Sequence, residues 1–356
     1  MNIYENELYL EDVRCVVDDS NIPWEKLGGN SFLISGATGL IGSCFVDTLM
    51  MADARYNFNL KIFAICRDDN RAKERFACYL TGKTLNLIAH DINQPLDCKD
   101  IGTVDYVLQL ASNTHPVAYA TDPIGTIMTN VLGTYNILDF ACTHKTKRTL
   151  FASSVEVYGE NRGDVEQFTE DYCGYINSNT LRAGYPESKR CGEALCQAYI
   201  QKKDLNVIIP RLARCYGPNV LTSDSRAISQ FIKKGVANED IVLKSKGDQL
   251  YSYIYVTDVV SGLLTLLLLG KSGEAYNIAA DSSTLKDLAQ MVADTVGRQV
   301  ISRAPDGVEA AGYGKVTSAQ LDTSKLKALG WTPKYGIEDG IKRTIAILKG
   351  IRNHEA

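Results

Sequence analysis

Phe32-Leu33-Ile34-Ser35-Gly36-Ala37-Thr38-Gly39-Leu40-Ile41-Gly42 is a short apolar run that breaks into glycines at 36, 39 and 42 and then resumes as an amphipathic stretch. A glycine permits the tight turn off a strand, a second lets backbone approach a pyrophosphate, and a third lets the following helix pack closely on the sheet. The helix N-terminus then faces the anion. Glycines also serve merely to reverse a chain, but here the strand–turn–helix setting is met. Gly36, Thr38, Gly39, Leu40, Ile41 and Gly42 are therefore the candidate dinucleotide-binding loop.

Working outward, further continuous apolar runs occur at Phe32–Ser35, Leu60–Cys66, Leu85–Ala89, Val104–Leu110, Thr149–Ala152 and Val207–Pro210. Runs of this length without polar alternation read as parallel strands buried on both faces. Helical stretches lie between them, notably Ile124–Cys142 and Glu187–Lys202. The alternation predicts an α/β fold: a doubly wound parallel sheet over 31–212. After residue 212 the rhythm breaks into shorter elements, with turns at Gly217-Pro218-Asn219 and Ala304-Pro305-Asp306-Gly307. This predicts a smaller α/β substrate-binding lobe over 213–356, with a segment near 245–275 returning to the first domain. Leu8–Val17 has helical spacing, so residues 1–30 read as a helical extension packed on the outside.

Strand ends of such a sheet carry the ligands. Asp91 and Ile92 end the third strand, where a carboxylate can accept from an adenine amino group. Leu110, Ala111 and Ser112 end the fourth, where small residues let a nicotinamide pass close. The second strand ends in Cys66-Arg67-Asp68. Asp68 suits the ribose hydroxyl of NAD, whereas Arg67 suits the 2′-phosphate of NADP, and both remain open.

Composition bounds the partners. The 356 residues are 45% hydrophobic with a net charge of -4, which gives no basic surface for nucleic acid or membrane. The acidic start Met1-Asn2-Ile3-Tyr4-Glu5-Asn6-Glu7 is no signal peptide, and the apolar run Leu263–Leu269 is too short to span a bilayer. The 10 cysteines are scattered without a Cys-x-x-Cys pair, which reads as reduced thiols in the cytoplasm. The 4 histidines form no ligand cluster, so no metal is expected.

Tyr185-Pro186-Glu187-Ser188-Lys189 puts a phenol and an ammonium one helical turn apart. With 19 tyrosines and lysine at a typical ~6%, about one such spacing arises by chance, and Tyr79…Lys83 and Tyr199…Lys203 share it. What separates Tyr185 is Ser154, at the end of the strand Thr149–Ala152, with Glu156 beside it. A tyrosine pKa near ~10 is about three units too high for a base at neutral pH, roughly 4 kcal/mol. A neighbouring ammonium and an oxidised nicotinamide supply such a shift. Ser154, Glu156, Tyr185 and Lys189 are the candidate catalytic residues, with Tyr185 and Lys189 also against the cofactor.

In this order the glycine loop, Ser154-Val155-Glu156-Val157-Tyr158-Gly159 and Tyr185–Lys189 resemble the extended short-chain dehydrogenase/reductase family of nucleotide-sugar enzymes, over nearly all of 31–350. Leu87-Ile88-Ala89-His90-Asp91-Ile92, Glu170-Asp171-Tyr172-Cys173-Gly174-Tyr175-Ile176-Asn177 and Arg182 bring the likeness nearest to UDP-glucuronate decarboxylases. The resemblance implies a Rossmann-like fold and NAD, with NADP possible through Arg67. It implies a transient 4-keto nucleotide sugar, reached when Tyr185 takes a proton from the sugar and Ser154 shares the hydrogen bond. Glu156 then decides among decarboxylation, 4-epimerisation and 4,6-dehydration. It also implies Ser112, Glu156, Asn177 and Arg182 at the substrate, and a homodimer joined by a four-helix bundle of Ile124–Cys142 and Glu187–Lys202.

Two positions depart from the family pattern. Arg211-Leu212-Ala213-Arg214 has arginine where an asparagine binds the diphosphate, and Tyr251 stands where an arginine precedes the Tyr255-Val256-Thr257-Asp258 segment. A guanidinium forks two phosphate oxygens, so Arg214 is expected to replace the missing contact from another strand. Arg226 is a second phosphate candidate, against the plainer expectation of a solvated surface arginine. Val155, where many 4,6-dehydratases carry an aspartate, counts against a dTDP-glucose dehydratase. The reading from another class is a cofactor-binding regulatory protein that has lost its chemistry; the intact tyrosine and lysine speak against it.

Overall fold

The computed structural model describes residues 3–97, 101–114, 116–303 and 318–352; the expected turn at 304–307 lies outside them. The chain opens with helix α1 (Glu7–Val17), capped by the Asn6 side chain, which accepts from the Tyr9 N–H. Strand β1 (Ser31–Ser35) and helix α2 (Leu40–Tyr56) follow, then β2 (Lys61–Cys66), α3 (Asp69–Arg75), β3 (Leu85–Ala89) and β4 (Tyr106–Gln109). Next come α4 (Pro116–Thr121), α5 (Pro123–Thr143), β5 (Arg148–Phe151), β6 (Ser153–Ser154), α6 (Gly184–Lys203), β7 (Val207–Leu212) and β8 (Arg214–Tyr216). The remaining elements are α7 (Ala227–Val236), β9 (Ile241–Leu243), β10 (Leu250–Tyr255), α8 (Val256–Leu269), β11 (Ala275–Ile278), β12 (Asp281–Thr284), α9 (Leu285–Val296), β13 (Val300–Ser302), β14 (Ser318–Ala319) and a C-terminal helix Ile337–Arg352.

The main sheet runs β3-β2-β1-β4-β5-β7-β11, with β6 also on β7, and every pairing in it is parallel. This is the doubly wound order that reverses between β1 and β4. Alternation along the strands explains why both faces are covered. Phe32 and Ile34 of β1, Leu108 of β4 and Ile208 of β7 enter one core with α2 and α8. Leu33, Val107, Val207 and Ile209 enter another with α5 and α6. All six of the apolar runs read from sequence become these strands. Leu33 is wholly buried, so Leu33→Ala is expected to cost about 2–5 kcal/mol.

Two boundaries have local causes. Helix α6 begins at Gly184, earlier than the Glu187 start expected from sequence, because Pro186 lies in its first turn, where a missing N–H costs nothing. Tyr185 is thereby inside the helix. Strand β5 stops at Phe151 because the Ala152 carbonyl accepts from Lys189 Nζ at 2.7 Å instead of continuing the ladder. Helix α1 is embedded more deeply than an outer arm. Tyr9, Val13 and Val17 are buried, and Asp12, fully enclosed, accepts from the Tyr255 hydroxyl at 2.6 Å.

Strands β8, β10, β12 and β14 form a second, smaller sheet. The chain then re-enters the main sheet: β10 stays in the small sheet, while β11 forms the main sheet's edge and α8 joins its core. No described helix is long and apolar enough to cross a membrane.

Candidate active site

The glycine loop leaves β1 with Gly36 at φ +68°. A Cβ there would stand 2.8 Å from the Ala111 backbone, and one at Gly42 would stand 2.3 Å from the Gly36 carbonyl. The Ser35 hydroxyl accepts from the N–H groups of Leu110 and Ala111 at 3.1 and 3.2 Å, binding the loop to the end of β4. Gly39 is the N-cap of α2 and offers no side-chain cap, so the N–H groups of Leu40, Ile41 and Gly42 face outward beside the half-buried Thr38. This cradle fits a pyrophosphate: the loop packs against the end of β4 and the start of α2 too closely for a side chain at Gly36 or Gly42, and the helix N-terminus presents its N–H groups to an anion.

The adenosine-facing residues are spread along the same edge. Arg67 is exposed, while Asp68 caps α3, accepting from the Arg71 N–H at 3.0 Å. Asp91 is exposed and accepts from the Asn93 N–H at 3.0 Å. Ile92 is buried, and its carbonyl accepts from Asn136 at 2.8 Å.

At the ends of β4, β6 and α6 the candidate catalytic groups meet. The Tyr185 and Ser154 hydroxyls are hydrogen-bonded. Burial pushes the Tyr185 phenol above its ordinary value; the Ser154 bond and the charges of Arg226 and Arg182 draw it back, while Glu156 adds to the rise. Lys189 lies one turn on, on the same face, and its ammonium is fixed to the Ala152 carbonyl rather than to the phenol. Burial lowers its pKa to about 8. Lys189 can therefore act on Tyr185 through its field, as a cation held in place. Ser112 Oγ donates to Asn130 Oδ1 at 2.7 Å, Asn130 Nδ2 donates to Ser188 Oγ at 2.9 Å, and Ser188 Oγ donates to the Tyr185 carbonyl at 2.8 Å. This relay ties the end of β4 to the turn that carries the phenol.

Glu156 is set between two arginines. Its Oε2 accepts from Arg182 Nη2 at 2.8 Å, and Arg214 Nη2 is 3.7 Å from its Oε1. Burial works against its charge, but Arg182 and Arg214 outweigh that and hold the carboxyl below the usual glutamate range. The Arg214 guanidinium rests on the Tyr251 ring, 3.5 Å from its centre. The two residues are neighbours because β8 and β10 pair with Arg214 opposite Tyr253. Nε and Nη1 of Arg182 and Nη1 of Arg214 are buried with no hydrogen-bond partner among the described residues.

Arg226 differs from a solvated surface arginine. It forks onto Asp224, with Nη2–Oδ2 at 2.6 Å and Nε–Oδ2 at 3.0 Å, and its charge reaches Tyr119 and Tyr185. Asn177 is exposed, and its Oδ1 accepts from the Asn179 N–H at 3.1 Å.

Sequence reading missed Asn130, Asp224 and Tyr119. Tyr119 stacks on Tyr185 with ring centres 4.7 Å apart and lies under Arg182 at 5.0 Å. Asn130 had one signal, a polar residue inside a buried helical stretch; Asp224, on a loop, and Tyr119, on the short helix α4, meet partners distant in sequence and had none.

Comparisons with known proteins bear on the fold and the family. Residues 32–279 match the model of the NAD dependent epimerase/dehydratase family. UDP-glucuronic acid decarboxylase 1 of Xenopus tropicalis is 30% identical over 329 residues, covering 91% of this chain and 73% of that protein. UDP-glucuronic acid decarboxylase 6 of Arabidopsis thaliana is 31% identical over 316 residues, covering 87% and 86%. Among solved structures, a dTDP-glucose 4,6-dehydratase of Streptomyces venezuelae with NAD bound superimposes with a TM-score of 0.79 at 24% identity, covering 91% of this chain and 98% of that one. A UDP-glucuronic acid 4-epimerase of Bacillus cereus, in complex with UDP-glucuronic acid and NAD, does so at 0.77 and 21%, covering 90% and 99%. The likeness in fold, the match over most of the chain and the order of the site residues have one meaning: the chain belongs to the NAD dependent epimerase/dehydratase family.

Proposed function

We propose that this protein remodels a nucleotide sugar through a transient 4-keto intermediate, with NAD as resident cofactor and UDP-glucuronate as substrate, and that it releases carbon dioxide. The observation that carries the reading is the cluster of Tyr185, Ser154 and Lys189 beside a carboxylate, Glu156, clasped by Arg182 and Arg214.

Tyr185, as phenolate in the field of Lys189, accepts the proton of the sugar C4 hydroxyl while Ser154 holds that oxygen. A bound nicotinamide supplies the hydride acceptor at C4 and later the hydride donor, so the sugar is not oxidised overall. With a carbonyl at C4, a carboxylate on C5 is β to it. Its C–C bond breaks with the electron pair passing to O4, where Tyr185 and Ser154 stand, and the resulting enolate takes a proton from water at C5 as its O4 becomes a carbonyl again. Dehydration needs an acid at the hydroxyl it expels. Glu156 is held ionised by its arginines and the neighbouring position is Val155, so neither of these two residues supplies that acid at C6. Epimerisation at C4 is the second reading, favoured by Tyr251 in place of an arginine.

Gly36, Thr38, Gly39, Leu40, Ile41 and Gly42 would hold the pyrophosphate, Asp91 and Ile92 the adenine, and Leu110, Ala111 and Ser112 the nicotinamide half. Arg182, Arg214 and Arg226 supply the positive charge for the substrate's anionic groups, and Tyr251 supports Arg214. A homodimer through α5 and α6 and a cytoplasmic location belong to the same proposal. The test is to incubate the purified protein with UDP-glucuronate and NAD and weigh the product. Loss of carbon dioxide is expected. Unchanged mass with altered retention would mean epimerisation, and no conversion by wild type would refute the reading.

A further inference from the structure

We propose that Tyr9, on the N-terminal helix, is a positioning residue for the substrate-side loop 217–226, acting through Asn219. Tyr9 precedes the part of the chain that matches the family model, residues 32–279, and nothing in the chemistry above uses it.

The loop carries groups that wall the site. Arg226 ends it, and Ser225 Oγ accepts from the Val117 N–H of α4 at 3.3 Å, on the short helix that holds Tyr119 over Tyr185. Its second half is anchored by α7: Gln230 Nε2 and Lys233 Nζ donate to the Asp224 carbonyl at 2.6 Å each, and Lys233 also donates to that of Thr222 at 2.7 Å. Its first half is anchored differently. Asn219 Nδ2 donates to the Tyr9 hydroxyl at 2.9 Å and to Ser43 Oγ of α2 at 3.1 Å. One amide thus joins the N-terminal helix, the cofactor helix and the substrate loop.

The Tyr9 hydroxyl is oriented for this task. It is almost fully buried and donates its proton to Asp47 Oδ2, which Arg75 Nη2 also holds at 2.6 Å. With its proton committed, the oxygen turns a lone pair to Asn219, and donating one hydrogen bond polarises the hydroxyl as an acceptor for the next. Helix α1 cannot drift away from this contact. Arg343 of the C-terminal helix donates to the Leu8 carbonyl at 3.0 Å and pairs with Asp12. The loop's height over the site is therefore set from the N-terminal helix.

The test is hydrogen exchange on Tyr9→Phe, with steady-state kinetics on UDP-glucuronate beside it. The proposal rests on loop 217–226 lining the substrate site, but the exchange readout needs no substrate. Expected are a fivefold or greater acceleration confined to amides of 217–226 and a KM raised three- to tenfold with kcat within twofold. Asn219→Ala should reproduce both, and the double variant should add nothing. Unchanged exchange in the loop, acceleration spread evenly over the whole chain, or additive effects would overturn the proposal. So would accelerated exchange with KM unmoved in an enzyme that turns over UDP-glucuronate. If wild type does not convert that sugar, the functional reading fails by itself, and the exchange and double-variant results still decide this one.

Discussion

Arg214 sits over Tyr251, its guanidinium carbon 3.5 Å from the ring centre, so the residue gained on one strand is seated on the residue that replaces a lost arginine on the strand paired with it. From that seat its Nη2 stands 3.7 Å from Glu156 Oε1. A guanidinium hydrogen-bonded to an anionic group contributes about 1.5–3 kcal/mol. Arg214→Ala is expected to raise KM for the nucleotide sugar roughly 10- to 100-fold. Tyr251→Phe keeps the ring and should stay within about twofold, whereas Tyr251→Ala loses a stacking contact of about 0.5–2 kcal/mol. Kinetics in which Arg214→Ala leaves KM unchanged would remove Arg214 from the substrate.

The pH profile should follow two groups shifted downward for different reasons. Arg182 and Arg214 overcome the burial of Glu156 and keep it ionised below the ordinary glutamate range, so activity should not fall until the pH is below that range. Burial sets Lys189 at about 8, so the alkaline limb of kcat should appear near there. Stability follows the opposite sense from activity on that limb. Between about 8 and an ordinary lysine value near ~10.4, the unfolded chain binds the extra proton, so wild type should gain stability as pH rises. Relative to Lys189→Met the gain should approach ~3 kcal/mol. Denaturant melts of both proteins at pH 7 and 10 that differ by a constant amount would contradict the assignment.

Cofactor binding should depend on two features of the sheet's edge. Gly42→Ala puts a methyl group 2.3 Å from the Gly36 carbonyl, and backbone cannot yield cheaply. It should cost about 1–3 kcal/mol of stability and most of the affinity for NAD in calorimetry. Gly82→Ala, whose methyl would meet its nearest neighbour at an ordinary 3.5 Å, serves as the control. Because Asp68 is committed to capping α3 while Arg67 is exposed, Arg67→Ala should weaken NADP and leave NAD within about twofold. Equal losses for the two cofactors would take Arg67 away from the 2′ position.

How far the site could be read from sequence follows from how local its causes are. Strands β1, β4 and β7 were legible because each is buried on both faces and so writes an unbroken apolar run. The glycine loop was legible because turn, close approach and helix start fall within seven residues. The Tyr185 phenol and Lys189 were legible as a helical spacing, yet not that Lys189 would be pinned to Ala152, since that contact crosses from α6 to the residue that follows β5. The same holds for Arg226: a lone arginine in sequence gives no hint that Asp224 forks it and that the loop folds back over Tyr185. Tyr9 is the extreme case, joined to Asn219 across |i−j| of 210.

The association state is tested through α5. That helix exposes Ile124 at 74%, Ile127 at 38%, Met128 at 41% and Tyr135 at 46%, and their spacing of three, four and seven or eight residues places them on one face. Leu181, just before α6, is 62% exposed, and α6 packs on α5. An apolar stripe along α5 suits a second copy of the same helix related by a two-fold axis. Sedimentation velocity should give a dimer at micromolar concentration. Ile124→Asp combined with Met128→Asp should give a monomer that still binds NAD, because both side chains point away from the core. A wild type that sediments as a monomer throughout a concentration series would mean that the stripe serves something other than self-association.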